Sequence, residues 1–267
     1  MNLDYFDTSK VSHLIEEYFH LSFQEEDIPF KSKVLPIGLT HLFYVGNGTQ
    51  KVIVDGKEML LEGLMVAGQY FRSYDFSTNS ITASIGANLH PTALYKLLNI
   101  DVSKIENTHA PLTQINNSFN NKLLPIFEDS KDTKELINNL NSFFTNASLY
   151  IDKNTEQIDL AISLIRENDG LLNVLDLVDE ISISQKTLEN HFKKIVGLTP
   201  GKYTRLYRFV KLMRKYESKE IDLNDLIHRY DYYDRSHFTK DFKLFMHQSP
   251  KTYFNTNNTF INEYLNK

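Results

Sequence analysis

The chain contains no cysteine among its 267 residues. Disulfide frameworks, thiol nucleophiles and Cys-ligated zinc are therefore excluded, and a reducing, cytoplasmic interior is the expected compartment. The opening MNLDYFDTSK lacks the basic start and apolar run of a signal peptide. Long hydrophobic runs are missing too. The stretch 34–45, VLPIGLTHLFYV, falls short of the ~18 to 20 residues that cross a bilayer, and Gly46-Asn47-Gly48 ends it as a turn. No membrane partner is expected.

Motifs for chemistry are equally scarce. There is no His-x-His for a metal-binding barrel, no Gly-x-Ser-x-Gly, and no glycine-rich loop followed by Lys-Ser/Thr. The expectation is no catalytic residue, no metal and no cofactor. His13, Glu16, Glu17 and His20 have ligand-compatible spacing on one helical side. Leu14, Tyr18 and Leu21 supply an opposing apolar side, so the segment reads as a solvated amphipathic helix. His41, His90 and His109 are isolated in sequence and read as packing or surface residues.

What is present is a core-forming composition, 41% hydrophobic, with mean hydropathy −0.37. At roughly 150 residues per domain the length allows one large or two ordinary domains. Charge divides unevenly: residues 1–155 hold 12 Lys/Arg and 18 Asp/Glu, whereas residues 156–267 hold 17 and 16. From Lys186 to Lys215, nine basic residues face one acid, Glu189, and this local +8 suggests a polyanion partner.

Short β-branched and aromatic runs at 39–45, 51–54, 64–67 and 81–85 predict strands within about 34–86. Asp55-Gly56 between two such runs is a hairpin signal. Helices are expected over about 91–150, among them one from Asp132 with Leu136, Ile137, Leu140, Phe143 and Phe144 as its apolar stripe. Either the sheet or a second chain must cover that stripe. The expected boundary falls near 153, giving domains 1–153 and 154–267.

The second half holds an internal repeat. Phe192 to Tyr203 aligns with Phe242 to Tyr253, and Leu188, Phe192, Ile195, Val196 match Phe238, Phe242, Phe245, Met246. A shorter apolar helix and a tight turn precede each stripe, which is the helix-turn-helix layout. The expected modules span about 172–197 and 222–247, with a basic helix over about 201–217 between them. Ser184 and Asp234 are the candidate N-caps.

The pattern Ser184-x-x-x-Leu188-x-x-x-Phe192, Gly197-x-Thr199-Pro200-x-x-Tyr203, Arg208, then Tyr232-x-x-x-Ser236-His237-Phe238-x-x-x-Phe242-Lys243 and Ser249-Pro250-x-x-Tyr253 resembles the DNA-binding domain of AraC/XylS-type transcription regulators over about 156–255. The resemblance implies two modules bridged by a long helix and reading adjacent major-groove faces. His247 and Asp231 stand where that family usually has glycine, and Val178 and Ile227 where it usually has alanine. More weakly, the first half is similar to a cupin-like sensor, through Leu35-Pro36-Ile37-Gly38, Gly68-Gln69 and Ile85 to Pro91.

The fold class expected is α+β: a small N-terminal barrel or half-barrel with flanking helices, then an all-α domain. Double-stranded DNA is the expected partner, and a small-molecule effector and a homodimer surface are the candidates for the first half. On this reading Gln185, Lys186, Thr187, Glu189 and Asn190 of the first module, and Arg235, Ser236, His237, Thr239 and Lys240 of the second, reach the groove. Lys186 and Arg235 suit guanine O6/N7, and Lys193, Lys202 and Lys243 suit phosphates. The competing reading is a small-molecule-binding or catalytic barrel carrying a helical protein-contact domain.

Overall fold

In the computed structural model, which describes residues 1–219, 221–256 and 258–265, the sheet starts at the second residue. Strands β1 (Asn2–Phe6), β2 (Ile15–Phe23), β3 (Phe30–Val34), β4 (Thr40–Val54), β5 (Lys57–Ala67), β6 (Tyr74–Thr78) and β7 (Thr82–Leu89) precede helix α1 (Ala93–Leu98). A 3-10 turn, Val102–Ile105, and the short β8 (His109–Pro111) follow. All pairings are antiparallel, in the order β1-β2-β7-β4-β5-β8, and β6 pairs with both β4 and β3. Asp55 and Gly56 make the β4–β5 hairpin turn, both at positive φ. Gly46-Asn47-Gly48, expected as a turn, lies within β4 at the register shift between Val45 and Gln50. That bulge lets the first half of β4 pair with β7 and the second half with β6.

Residues 15–23 are strand, which corrects the amphipathic helix expected around His13 to His20. Tyr18 is buried toward the helices, its hydroxyl donating to Asn141 Oδ1 at 3.2 Å, while Phe19 and Leu21 line the interior of the sheet. With both faces covered, the polar alternation that announces a strand is lost. Glu16 accepts from Arg166 at 2.8 Å and Glu17 from Asn88, so the acids serve different contacts.

Helices α2 (Leu112–Asp129) and α3 (Thr133–Thr145) pack together beside the sheet. Asp132 caps α3 by accepting from the Glu135 amide at 2.8 Å. Leu136, Ile137, Leu140 and Phe144 are buried, and Phe143 lies edge-on to Phe119 of α2 at 5.5 Å. The stripe offered as a dimer surface is thus covered within one chain.

Helix α4 (Lys153–Glu167) opens on an Asp152/Thr155 capping box. Then come α5 (Val174–Ile181), α6 (Gln185–Val196), α7 (Pro200–Glu217), α8 (Leu223–Arg229), α9 (Arg235–Met246), α10 (Pro250–Phe254) and α11 (Thr259–Leu265). His247 and Asp231 take the left-handed backbone that the glycines of the resembling family would supply, at φ 51° and 54°. His247 caps α9 as Gly197 caps α6. At Gly197 the absent Cβ also matters, since it would stand 3.1 Å from Val102.

One apolar core runs from the outer face of the sheet through α1 to α4 and into both helical modules, and a second fills the inside of the sheet. Polar clamps join the halves: Lys96 to Asp159 at 2.7 Å, Arg166 to Glu16 at 2.8 Å, Lys202 to Glu106 at 2.8 Å, and the Ser73 amide to the Phe245 carbonyl at 2.6 Å.

Asp241 of α9 is fully buried. Its carboxylate accepts from Arg205 of α7, with Nε at 2.9 Å and Nη2 also bonded, and from the Tyr232 hydroxyl at 3.1 Å. Removing the cation would strand a buried charge, so Arg205→Ala is expected to cost about 3 kcal/mol in urea unfolding. A loss below about 1 kcal/mol would contradict the pairing.

Burial holds His109 neutral, at about 3, with its Nδ1 2.6 Å from the Tyr70 hydroxyl. Burial, then Arg166, lowers His90 likewise to about 3. Because the unfolded chain takes these protons first, stability is full above about pH 6.5 and falls toward pH 3, by about 1.4 kcal/mol per pH unit for each histidine. Urea titrations between about pH 6.5 and pH 5 should show that slope, lessened by His109→Gln; a slope unchanged in the variant would refute the assignment.

Candidate nucleic-acid interface

Two helices present polar faces to solvent while burying the repeated stripe beneath. Ser184 caps α6 by accepting from the Thr187 amide at 3.1 Å, and Asp234 caps α9 by accepting from the His237 amide at 2.7 Å. These caps fix where each helix starts, which sets the side chains that project from its first turns. Leu188, Phe192, Ile195 and Val196 of α6 are buried, as are Phe238, Phe242, Phe245 and Met246 of α9.

On the outer face of α6, Gln185, Lys186, Asn190 and Lys193 are exposed, with Thr187 and Glu189 half-buried. Gln185 donates to the Glu189 carboxylate at 2.8 Å, which occupies the acid that would otherwise face a polyanion. On α9, Arg235, Ser236, Lys240 and Lys243 are exposed, with His237 and Thr239 half-buried. Arg235 Nε donates to Asn224 of α8 at 2.7 Å, so one bond aims the guanidinium and its remaining donors stay available for a bidentate contact. His237 stands edge-on to the buried Tyr232 ring at 5.1 Å. The first-turn residues of each helix are gathered on one face; Lys202 is not with them.

Lys202 lies in the contact between the halves, 2.8 Å from Glu106 and over the Phe71 ring at 5.2 Å. Much of the rest of the basic run also finds partners within the chain. Lys194 sits over Tyr95, Arg205 pairs with Asp241, Arg208 stacks on Tyr232 at 4.7 Å, Lys211 pairs with Asp169 at 3.0 Å, and Arg214 bonds Tyr264. Lys194, Lys202, Arg205, Arg208, Lys211 and Arg214 are therefore engaged inside the chain. Local charge counted along the sequence overstates what faces a partner.

Tyr233, at the turn just before Asp234, is 90% exposed. The sequence reading missed it because Tyr232 and Tyr233 are indistinguishable by type, and only the fold buries one and presents the other. Asn224 was missed as well; its role is visible only once α8 and α9 are placed together.

Inside the sheet lies a cavity of about 130 Å³ to which every strand contributes, with residues of α11 completing the lining. Among the described residues no cluster of three or more His, Asp or Glu could hold a metal. No helix is long and apolar enough to cross a membrane.

Residues 177–256 match the helix-turn-helix domain family, and residues 7–111 match a domain of unknown function (DUF6597). A stretch of 76 residues is 26% identical to the HTH-type transcriptional activator RhaS of Pectobacterium atrosepticum, covering 28% of this chain and 27% of that protein. RhaS of Escherichia coli K12 is 29% identical over 75 residues, with 28% and 27% covered. The match therefore spans about a quarter of these relatives' length. Among solved structures, apo ToxT of Vibrio cholerae is similar with TM-score 0.48 and 12% identity, covering 88% of this chain and 96% of that one. ToxT bound to an unsaturated fatty acid gives 0.47 and 12%, covering 90% and 93%. Residues 177–256 of this chain are thus similar to a helix-turn-helix domain, and α7 joins the two helical modules within that span.

Proposed function

We propose that the chain is a sequence-specific, DNA-binding regulator of transcription in which α6 and α9 enter successive major-groove faces and the sheet half senses a small molecule. The observation that carries this is the pair of capped helices, each with its apolar stripe buried and its polar first turns outward, held at either side of α7. Lys186 and Arg235 are the guanine readers, because their donors match the paired O6 and N7 acceptors. Gln185, Asn190, Ser236, His237 and Thr239 supply shorter-range contacts, and Lys193, Lys240 and Lys243 neutralise phosphates. Tyr233 adds a hydroxyl beside the second helix. Lys202 is assigned to the contact between the halves and leaves the phosphate set. The protein-contact reading of the helical region is not favoured, given the family that residues 177–256 match.

Selection of duplexes from a randomised pool by the full chain tests this. A consensus should emerge, with affinity falling steeply as salt rises. Arg235→Ala should lose about 1–3 kcal/mol of discrimination at one base position, whereas Lys193→Ala should weaken all duplexes alike and lessen the log–log salt slope by about one. A pool that yields no consensus, or identical profiles for the two variants, would refute the assignment.

A further inference from the structure

Part of the wall of the cavity inside the sheet comes from a segment that belongs, in sequence, to the far end of the chain. Phe260, Ile261 and Tyr264 of α11 complete its lining. The Phe260 ring lies parallel to Phe76 of β6, with centroids 6.2 Å apart and planes 7° apart, and edge-on to Phe30 of β3 at 6.1 Å. α11 also holds α7, since Arg214 Nη2 donates to the Tyr264 hydroxyl at 3.1 Å and its guanidinium sits over the same ring at 5.4 Å. One short helix thus touches the wall of the cavity and the helix that joins the two reading modules.

The lining specifies the chemistry of a guest. None of its 20 residues is Asp, Glu, Lys or Arg, and burial keeps His109, one of its two histidines, neutral. A cation would find no carboxylate there, and an anion no lysine or arginine, at a heavy desolvation cost. Gln50, Ser84, Asn88 and His109 offer neutral hydrogen bonds among Phe43, Val52, Leu61 and Phe76. About 130 Å³ is close to the ~150 Å³ cavity that accepts one benzene ring.

We propose that this cavity binds an uncharged, mainly apolar molecule and that α11 is its gate, so that a guest larger than one ring displaces Phe260 and Tyr264 and thereby releases Arg214 of α7. The proposal rests on the reading of the sheet half as a sensor. Its first arm, however, is read without DNA.

The probe is prodan, a neutral two-ring solvatochromic dye too large for a cavity of about 130 Å³, titrated into the full chain. Phe260→Ala should bind it at least ten-fold more tightly than wild type, with a blue-shifted emission, and adding Leu61→Trp to that variant should abolish the gain by filling the cavity. Tyr264→Phe, which keeps the ring and removes the bond to Arg214, should bind it several-fold more tightly, with circular dichroism confirming an unchanged fold. Affinity within two-fold of wild type in both single variants overturns the gate. In a second arm, saturating prodan should change wild-type affinity for a selected duplex by two-fold or more, and the change should vanish in Tyr264→Phe; an unchanged wild-type affinity overturns the link to α7. Absence of any duplex binding, with the dye results intact, would instead overturn the regulator reading and leave the gated cavity standing.

Discussion

The helices that follow the sheet half are arranged around α7, an 18-residue helix that is buried on most of its circumference and packs against α4, α6, α8, α9 and α11. Leu206, Phe209, Leu212 and Met213 have no exposed surface, and Tyr203 and Val210 are nearly as deep. Fully burying such side chains is worth about 1.5–3 kcal/mol each, so the helix cannot shift without giving up several of these terms together. Phe209 meets Phe238, Phe242 and Phe245 of α9, while Tyr203 meets Phe192 of α6. Both α6 and α9 are therefore placed by one helix, and the buried Asp241–Arg205 pair fixes α9 against it.

That arrangement explains where the positive charge goes. A helix packed on all sides must spend its cations on its neighbours, by pairing, stacking or extending to the surface. In α7 Lys202, Arg205, Arg208, Lys211 and Arg214 each find a partner within the chain. On α6 and α9, by contrast, Lys186, Lys193, Arg235, Lys240 and Lys243 face solvent together with first-turn residues. Charge counted along the sequence does not by itself show which helix presents its cations to solvent.

The repeat was legible because a stripe buried on one side of a helix leaves a 3.6-residue signature, and here it occurs twice with its caps. The β4–β5 hairpin was legible through Asp55-Gly56, whose backbone demands are local. What escaped is what only the assembled fold decides. β2 carries apolar residues on both faces because helices cover one side and the cavity lies on the other, so Leu14, Tyr18 and Leu21 mimic a helix. For the stripe of α3 the sequence offered the sheet or a second chain as its cover, and helix α2 of the same chain was not foreseen. Tyr233 and Asn224 acquire meaning only from the turn between α8 and α9, and α11 only from a cavity some 200 residues earlier in the chain.

The central claim is that one chain carries two reading helices held by α7. Hydroxyl-radical footprinting of the full chain on a selected duplex, with stoichiometry measured alongside, tests it most directly. The account predicts two protected patches on one face of the duplex, about one helical turn (~34 Å) apart, at one chain per duplex. A single patch per chain would contradict it, because α9 and its partners on α7 would then have no part in reading DNA.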